Sequence, residues 1–389
     1  MEIKRDGKTE RKQKEDWPVL AICYDFDKTL SPDDMQAQGY IQSVNYNVPD
    51  FWKESNELAE RNNMDQNLAY MYMMVDKAQG RVLFTREKLM EYGAQVTLFP
   101  GVEGWFERIR QYGKAKNVIV EHYIISSGLK EMIEGTSVAR AGAFKEIFAS
   151  SFYYNDRGVA VWPAQVVNYT GKTQYLFRIE KGVLDINNLG VNDSFAPDEI
   201  RVPFRNMVYI GDSDTDVPCM KLVNTYGGYS IGVYKEDKEK VHKMMREGRI
   251  RYYASADYTE GSDLDCLVKS IIDRTATNEV LENVYYSCRK ECENAAAHAD
   301  REEQEKKDLI IALEGSGNFA RTHSVIKKLS GYSRWTSKER EKLCEIAIKN
   351  SQVHYILSDL DLMSFYKGLL ENAGCLTEYE EKVKEMLEG

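Results

Sequence analysis

The run Val19-Leu20-Ala21-Ile22-Cys23-Tyr24 is apolar without interruption and stops abruptly at Asp25-Phe26-Asp27. A short unbroken apolar run that ends in charge predicts a strand buried on both faces, with two carboxylates at its carboxyl end. Similar strands are predicted at 117–125, ending in Ser126-Ser127-Gly128, at 207–210, ending in Gly211-Asp212, and at 229–234. A hairpin is predicted around Asn155-Asp156-Arg157-Gly158, between Phe152-Tyr153-Tyr154 and Val159-Ala160-Val161-Trp162. Helices fall between the strands: one carries Trp105, Ile109 and Tyr112, one opens at Gly171-Lys172-Thr173, and one lies near 241–246. Alternation of this kind predicts a mostly parallel, doubly wound α/β sheet.

Two stretches break the alternation. Residues 33–98 read as helices with dense aromatics and methionines, including 51–59, 68–75 and 86–92, the last after Thr85 as a cap. The aromatics Tyr40, Tyr46, Phe51, Trp52, Tyr70 and Tyr72 are expected mainly to fill a small helical core. Arg61, Lys77, Arg81, Arg86 and Lys130 are basic candidates for an anionic group. After Arg274 the strands stop, and 275–389 read as helices with polar joints. Thr336 and Glu339 form a capping box there, followed by amphipathic spacing at Leu343, Ile346 and Ala347. Gly315–His323 reads as an interhelical loop and Asp359-Leu360-Asp361 as a helix cap or surface. The expected organisation is a flexible arm at 1–16, an α/β core at 17–32 and 99–274, a helical insertion at 33–98, and a helical region at 275–389.

Composition narrows the function classes. The 389 residues are 43% hydrophobic and 29% charged, with a net charge of -10. That balance does not indicate a nucleic-acid binder, which is usually basic. No apolar run is long enough to span a membrane, and no apolar segment precedes Trp17, so neither a membrane span nor a secretory signal is expected. Seven scattered cysteines, an odd number, fit reduced thiols and a cytoplasmic location. Cys288 and Cys292, four apart with His298 beyond, read as helix residues rather than metal ligands.

The chemistry-bearing residues lie at strand ends or helix starts: Asp25 with Asp27, Ser126, Lys172, and Asp212 with Asp216. Each alone has a plain structural explanation as a turn, a cap or a solvated charge. The run Gly211-Asp212-Ser213-Asp214-Thr215-Asp216 is not an EF-hand calcium loop, because the Gly and distal Glu of that loop are missing. An Asp-x-Asp at a strand end can divide labour, with one carboxylate attacking and the other handling protons.

Order and context together resemble the haloacid dehalogenase (HAD) superfamily, through DFDKTL (25–30), YIISSG (123–128), Lys172 in TGKTQYLF, and VYIGDSDTD (208–216). The resemblance covers roughly 18–273 and is nearest to the phosphoserine-phosphatase-like branch, whose helical C1-type cap matches the position of 33–98. It implies a Rossmann-like core with an inserted helical cap, and leaves the C-terminal helical extension unexplained. It implies a magnesium-dependent phosphatase acting on a small phosphorylated metabolite through an aspartyl-phosphate. Asp25 would be nucleophile and Mg2+ ligand, and Asp27 the acid/base and, through its carbonyl, a ligand. Ser126, with backbone groups near Ser127 and Gly128, would bind the phosphoryl group. Lys172 would balance charge there, and Asp212 would complete the metal ligands. Asp216 would orient Lys172 or a metal-bound water, and Thr29 would tie the loop by local hydrogen bonding. Asp27 favours phosphoryl transfer over dehalogenation, which lacks an acid at that position. Two alternatives stay open: transfer to an acceptor other than water, and a phosphate-sensing assembly protein acting, or self-associating, through its C-terminal helices.

Overall fold

The structure, a computed structural model, describes residues 14–371 and 376–388. All but the last three residues of the expected arm at 1–16 therefore lie outside the described residues. The chain divides into two compact units between Val284 and Tyr285.

The first unit is built on seven strands: β1 (Val19–Tyr24), β2 (Ile119–Leu129), β3 (Glu146–Tyr154), β4 (Ala160–Gln165), β5 (Met207–Gly211), β6 (Tyr229–Tyr234) and β7 (Tyr252–Ser255). They lie in the order β4-β3-β2-β1-β5-β6-β7. All neighbours are parallel except the β3–β4 hairpin. Every residue of β1 is buried, as its unbroken apolar run requires. Alternation splits it between two cores. Leu20, Ile22 and Tyr24 pack with Trp105 and Phe106, while Val19, Ala21 and Cys23 pack with Tyr175, Leu176, Cys219 and Met220.

Successive strands build outward from β1 in one direction through β2 to β4 and in the other through β5 to β7. The carboxyl ends of β1 and β5 therefore meet at the reversal point, where open α/β sheets form their ligand crevice. Tyr24 pairs with Ile210, and the Asp25 N–H extends the ladder to the Ile210 carbonyl at 3.0 Å.

Helices at Tyr40–Ser43, Val48–Asn62, Gln66–Ala78 and Arg86–Gly93 fill the insertion after β1. Its two ends are joined where the Phe99 N–H meets the Leu30 carbonyl at 2.9 Å. Tyr40, Phe51 and Tyr70 are buried in the same core as Leu20 and Ile22, while Tyr72 is exposed. Thr85 caps Arg86–Gly93 by accepting the Lys88 N–H.

Three sequence expectations change here. β2 runs four residues further than expected, to Leu129, with a register shift between Ser126 and Leu129. β3 begins at Glu146, six residues before the expected Phe152, because polar residues interrupt its apolar pattern. β7 was not expected: four residues at the sheet edge, only one of them buried, carry too little pattern.

One helix, Asp263–Glu314, runs through the residue at which the sequence reading changed regions. Its 52 residues hold no Gly or Pro to stop it. The second unit has its own core, including Leu313, Ile326, Leu329, Leu343, Ala347 and Tyr366. The capping box of Thr336 and Glu339 forms as expected. Gly315–His323 is only partly a loop: Asn318 caps a helix that starts at Phe319. Among the described residues, no helix is long and apolar enough to cross a membrane.

Candidate active site

Asp25 leaves β1 directly into the reversal point. Its Oδ1 accepts the Phe26 N–H at 2.8 Å, and its Oδ2 lies 3.3 Å from Lys172 Nζ. The following turn is wound on one carbonyl, because the N–H groups of Thr29, Leu30 and Ser31 all point at Phe26 O. That corrects the expectation for Thr29. Its hydroxyl is buried with no partner among the described residues, since the backbone already ties the loop; its carbonyl accepts from Tyr258 Oη at 2.8 Å.

Asp212 and Asp216 come from the end of β5. The carboxylates of Asp25, Asp212 and Asp216 offer oxygens all within 4.8 Å of one another, and all three residues are buried. Asp216 accepts from Lys172 Nζ at 2.7 Å, Tyr209 Oη at 2.9 Å and the Ser213 N–H at 3.1 Å. Gly211 makes this fold-back feasible, because a Cβ there would sit 2.5 Å from Asp216 Oδ2. Lys172 ends a 3-10 turn and immediately precedes the helix Thr173–Lys181, with its side chain fully buried between Asp216 and Asp25.

Asp27 stands outside the carboxylate cluster. Its Oδ1 accepts the Met35 N–H at 2.8 Å. A Cβ on Gly128 would lie 3.0 Å from its Oδ2 and collide with the Met35 methyl. Ser126 lies two residues beyond Ile124, the β2 partner of Tyr24, and so at the same sheet edge. The Gly128 N–H, expected to face a phosphoryl oxygen, donates instead to Ser126 Oγ at 3.0 Å. The bulged end of β2 folds back on itself, so Gly128 serves by having no side chain. The Ser127 carbonyl accepts from Tyr70 Oη at 2.8 Å and Ser150 Oγ at 3.2 Å. Its hydroxyl is buried without a partner among the described residues.

Burial and crowding set the electrostatics. Burial first, then Asp216, raises the Asp25 carboxyl well above its usual range, with Lys172 opposing. Burial and Asp216 likewise raise Asp212, to about 6, against Lys240. Asp27 is raised by burial, then by Asp34 and Asp25. Burial works against the Lys172 ammonium, but Asp216 and Asp25 outweigh it and hold its pKa above the ordinary value. Three converging carboxylates, an all-oxygen donor set, and partial neutralisation by Lys172 fit a hard divalent cation such as Mg2+. No other group of three or more candidate metal-ligating side chains occurs among the described residues.

Sequence reasoning missed Tyr209, Met35 and Lys240, which contact Asp216, Asp27 and Asp212, while Tyr70, expected mainly as helical core, also reaches the Ser127 carbonyl. A tyrosine in a core strand needs a partner for its hydroxyl, and that was the available signal for Tyr209. Nothing sets Lys240 apart in its Lys- and Glu-rich stretch. The basic candidates of the insertion are already engaged: Arg61 with Glu57, Lys77 with Asp76, Arg81 with the Val44 carbonyl, and Arg86 with Glu134. Lys130 pairs with Glu146.

Comparison with known proteins adds the following. The family described as haloacid dehalogenase-like hydrolase matches residues 22–221. An uncharacterized protein of Borreliella burgdorferi is 27% identical over 273 residues, covering 63% of this chain and 94% of that protein. Among solved structures, a HAD-family hydrolase of Salmonella enterica serovar Typhi is similar at 18% identity and a TM-score of 0.44, over 66% of this chain and 73% of that one. A phosphoserine phosphatase solved as a phospho-aspartyl intermediate analogue is similar at 16% identity and a TM-score of 0.39, over 65% of this chain and 99% of that one. A cytosolic 5'-nucleotidase IIIB bound to cytidine is similar at 15% identity and a TM-score of 0.39, over 67% and 87%.

Proposed function

Because this chain belongs to the haloacid dehalogenase-like hydrolase family, we propose that it is a magnesium-dependent phosphatase that hydrolyses a small phosphomonoester through an aspartyl-phosphate. The observation that carries the reading is the convergence of Asp25, Asp212 and Asp216 at the carboxyl ends of β1 and β5, with Asp25 and Asp216 paired to buried Lys172 and Asp27 two residues beyond Asp25.

Asp25 attacks phosphorus with one carboxylate oxygen, forming an O–P bond as the bond to the leaving oxygen breaks. Asp27 delivers a proton to that leaving oxygen. It then takes a proton from the water that attacks the acyl phosphate, which frees inorganic phosphate and restores Asp25. Its bond to Met35 N–H keeps one carboxyl oxygen occupied and leaves the other beside Gly128 for this exchange. Ser126 hydrogen-bonds a phosphoryl oxygen, and Lys172 balances the charge gathered on Asp25 and the phosphoryl group. Asp216 holds Lys172 in place. Asp25, Asp212 and the Asp27 carbonyl would hold the metal, which offsets the repulsion between an anionic nucleophile and an anionic ester. The free thiols of Cys23, Cys219, Cys266, Cys288, Cys292 and Cys344 support a reducing, cytoplasmic setting.

The test is phosphate release from p-nitrophenyl phosphate and a panel of metabolite phosphates, with and without magnesium. Wild-type turnover is expected to need the metal, and Asp25→Asn is expected to abolish it. Unchanged turnover in Asp25→Asn sinks the mechanism. Phosphorylated alcohols formed in the presence of added glycerol would point to a non-water acceptor.

A further inference from the structure

Two ammonium groups touch the carboxylate cluster, and they are held in different ways. Lys172 is fully buried and fixed on two sides, 2.7 Å from Asp216 and 3.3 Å from Asp25. Lys240, on the helix Glu239–Arg246, reaches in from outside. Its Nζ lies 3.3 Å from Asp212 Oδ2, and about half of its side chain (49%) is exposed while that of Asp212 is 12% exposed. No other carboxylate pairs with Lys240 among the described residues. The nearby Lys28 is already committed to Asp34, at 2.9 Å.

The geometry points to Lys240 as a displaceable latch. Its ammonium stands in for the divalent cation at Asp212, and it must leave when the cation arrives. This rests on the proposed metal site. Three physical points carry it. An ammonium on Asp212 Oδ2 uses lone-pair directions that a bound cation needs, and its charge repels a dication at close range. A half-exposed ion pair on a flexible four-carbon stem is weak, so it can be broken at small cost. Without Lys240, Asp212 would lose the ammonium in contact with it and keep only the weaker influence of Lys28, while burial and Asp216 act against its charge. Lys172 can do neither job, because it is locked to Asp216 inside the core.

The latch has a second consequence. Once displaced from Asp212, the Lys240 ammonium is unpaired at the rim of a site that takes an anionic ester. It is then positioned to draw in the substrate's anionic group. Loading of the metal thereby converts a group that neutralises the empty site into one that attracts substrate.

The experiment is calorimetric titration of magnesium alone into wild type, Lys240→Met, Lys240→Arg and Lys243→Met. Lys243 is exposed on the same helix and controls for net charge. Lys240→Met is expected to bind magnesium roughly three- to tenfold more tightly, and Lys240→Arg and Lys243→Met are expected to stay near wild type. A merely structural loss at this position would weaken binding, so the sign of the change separates the two roles. With a turnover substrate, Lys240→Met is expected to raise KM with little change in kcat. If wild type binds magnesium and Lys240→Met binds it no more tightly, the latch is wrong while the metal site stands. Binding by neither protein overturns both.

Discussion

Asp216 shows how one residue can matter to both stability and turnover. It is fully buried and accepts from Lys172, Tyr209 and Ser213. Its charge compensates Lys172, and its position fixes where Lys172 points. The two functions can be separated. Asp216→Asn leaves the buried Lys172 ammonium with only Asp25, at 3.3 Å, so it should destabilise the fold by about 3 kcal/mol and lower kcat by about 100-fold or more. Tyr209→Phe removes one of several donors and keeps the charge. It should cost about 1–2 kcal/mol in urea unfolding and less than about tenfold in kcat. Equal losses of kcat in the two variants would show that the charge of Asp216 is not what places Lys172. At this scale the sequence was most legible where chemistry forces a residue type. Asp25, Lys172, Asp212 and Asp216 were all identifiable, because a carboxylate or ammonium at a strand end stands out against apolar neighbours. The partners of Asp27 and Asp216 were not, because the Met35 N–H contributes only backbone and Tyr209 looks like core.

Elements position these residues, and some of that positioning depends on what is absent. The helices Arg86–Gly93 and Lys130–Gly135 cross with backbone against backbone. A Cβ on Gly93 would overlap the Met132 carbonyl, and one on Gly135 would overlap the Met90 carbonyl. Lys130–Gly135 follows directly from the bulged end of β2, which carries Ser126–Gly128, so this crossing braces that end of the strand against the insertion. Gly93→Ala should therefore destabilise by about 2–3 kcal/mol, although alanine favours helices over glycine by about 1 kcal/mol. In thermal unfolding this appears as a lowered Tm, and in kinetics as a raised KM if the end of β2 shifts. A raised Tm would mean the helices part without cost. The sequence showed Arg86–Gly93 through its helical spacing after Thr85, but not its close approach to Lys130–Gly135, which is a property of pairs distant in the chain. The same limit explains the strands. β1, β5 and β6 were legible as apolar runs buried on both faces. β7, at the edge, and the early part of β3, with polar residues interleaved, take their strand conformation from their neighbours.

At the scale of the whole molecule, the first unit carries a polar thread through its core that makes its stability depend on pH. Trp105 Nε1 donates to Tyr24 Oη at 2.8 Å, Tyr24 Oη meets His122 Nδ1 at 3.0 Å, and His122 Nε2 meets the Phe106 carbonyl at 3.2 Å. The carbonyl can only accept, so Nε2 carries the proton, Nδ1 accepts from Tyr24, and the ring is neutral. Burial, then the charge of Arg110, depresses its pKa from 6.5 to about 3. Next to it in sequence, Glu121 is held at about 2 by Arg201, with two hydrogen bonds, against the cost of burial. In both cases the unfolded chain binds a proton more readily than the folded one. Stability from His122 is thus fully present above pH 6.5 and is lost as pH falls toward 3, a total of about 4–5 kcal/mol. The Glu121 contribution is present above about pH 4.5 and is lost as pH falls through about 2. Between pH 7 and 5 the Glu121 contribution stays intact, while the raised carboxyls of Asp25 and Asp212 take up protons in the folded state and gain stability. The His122 loss is therefore read from the difference between wild type and a His122 variant. Glutamine can offer an acceptor to Tyr24 and a donor to Phe106 without titrating. His122→Gln is expected to start less stable at pH 7.5, because its amide fits the ring's space imperfectly, and to lose less Tm than wild type on acidification to pH 5. Parallel loss of Tm in both proteins would assign the acid sensitivity to another group, whereas a flattened profile would locate it in the neutral imidazole of His122 on β2.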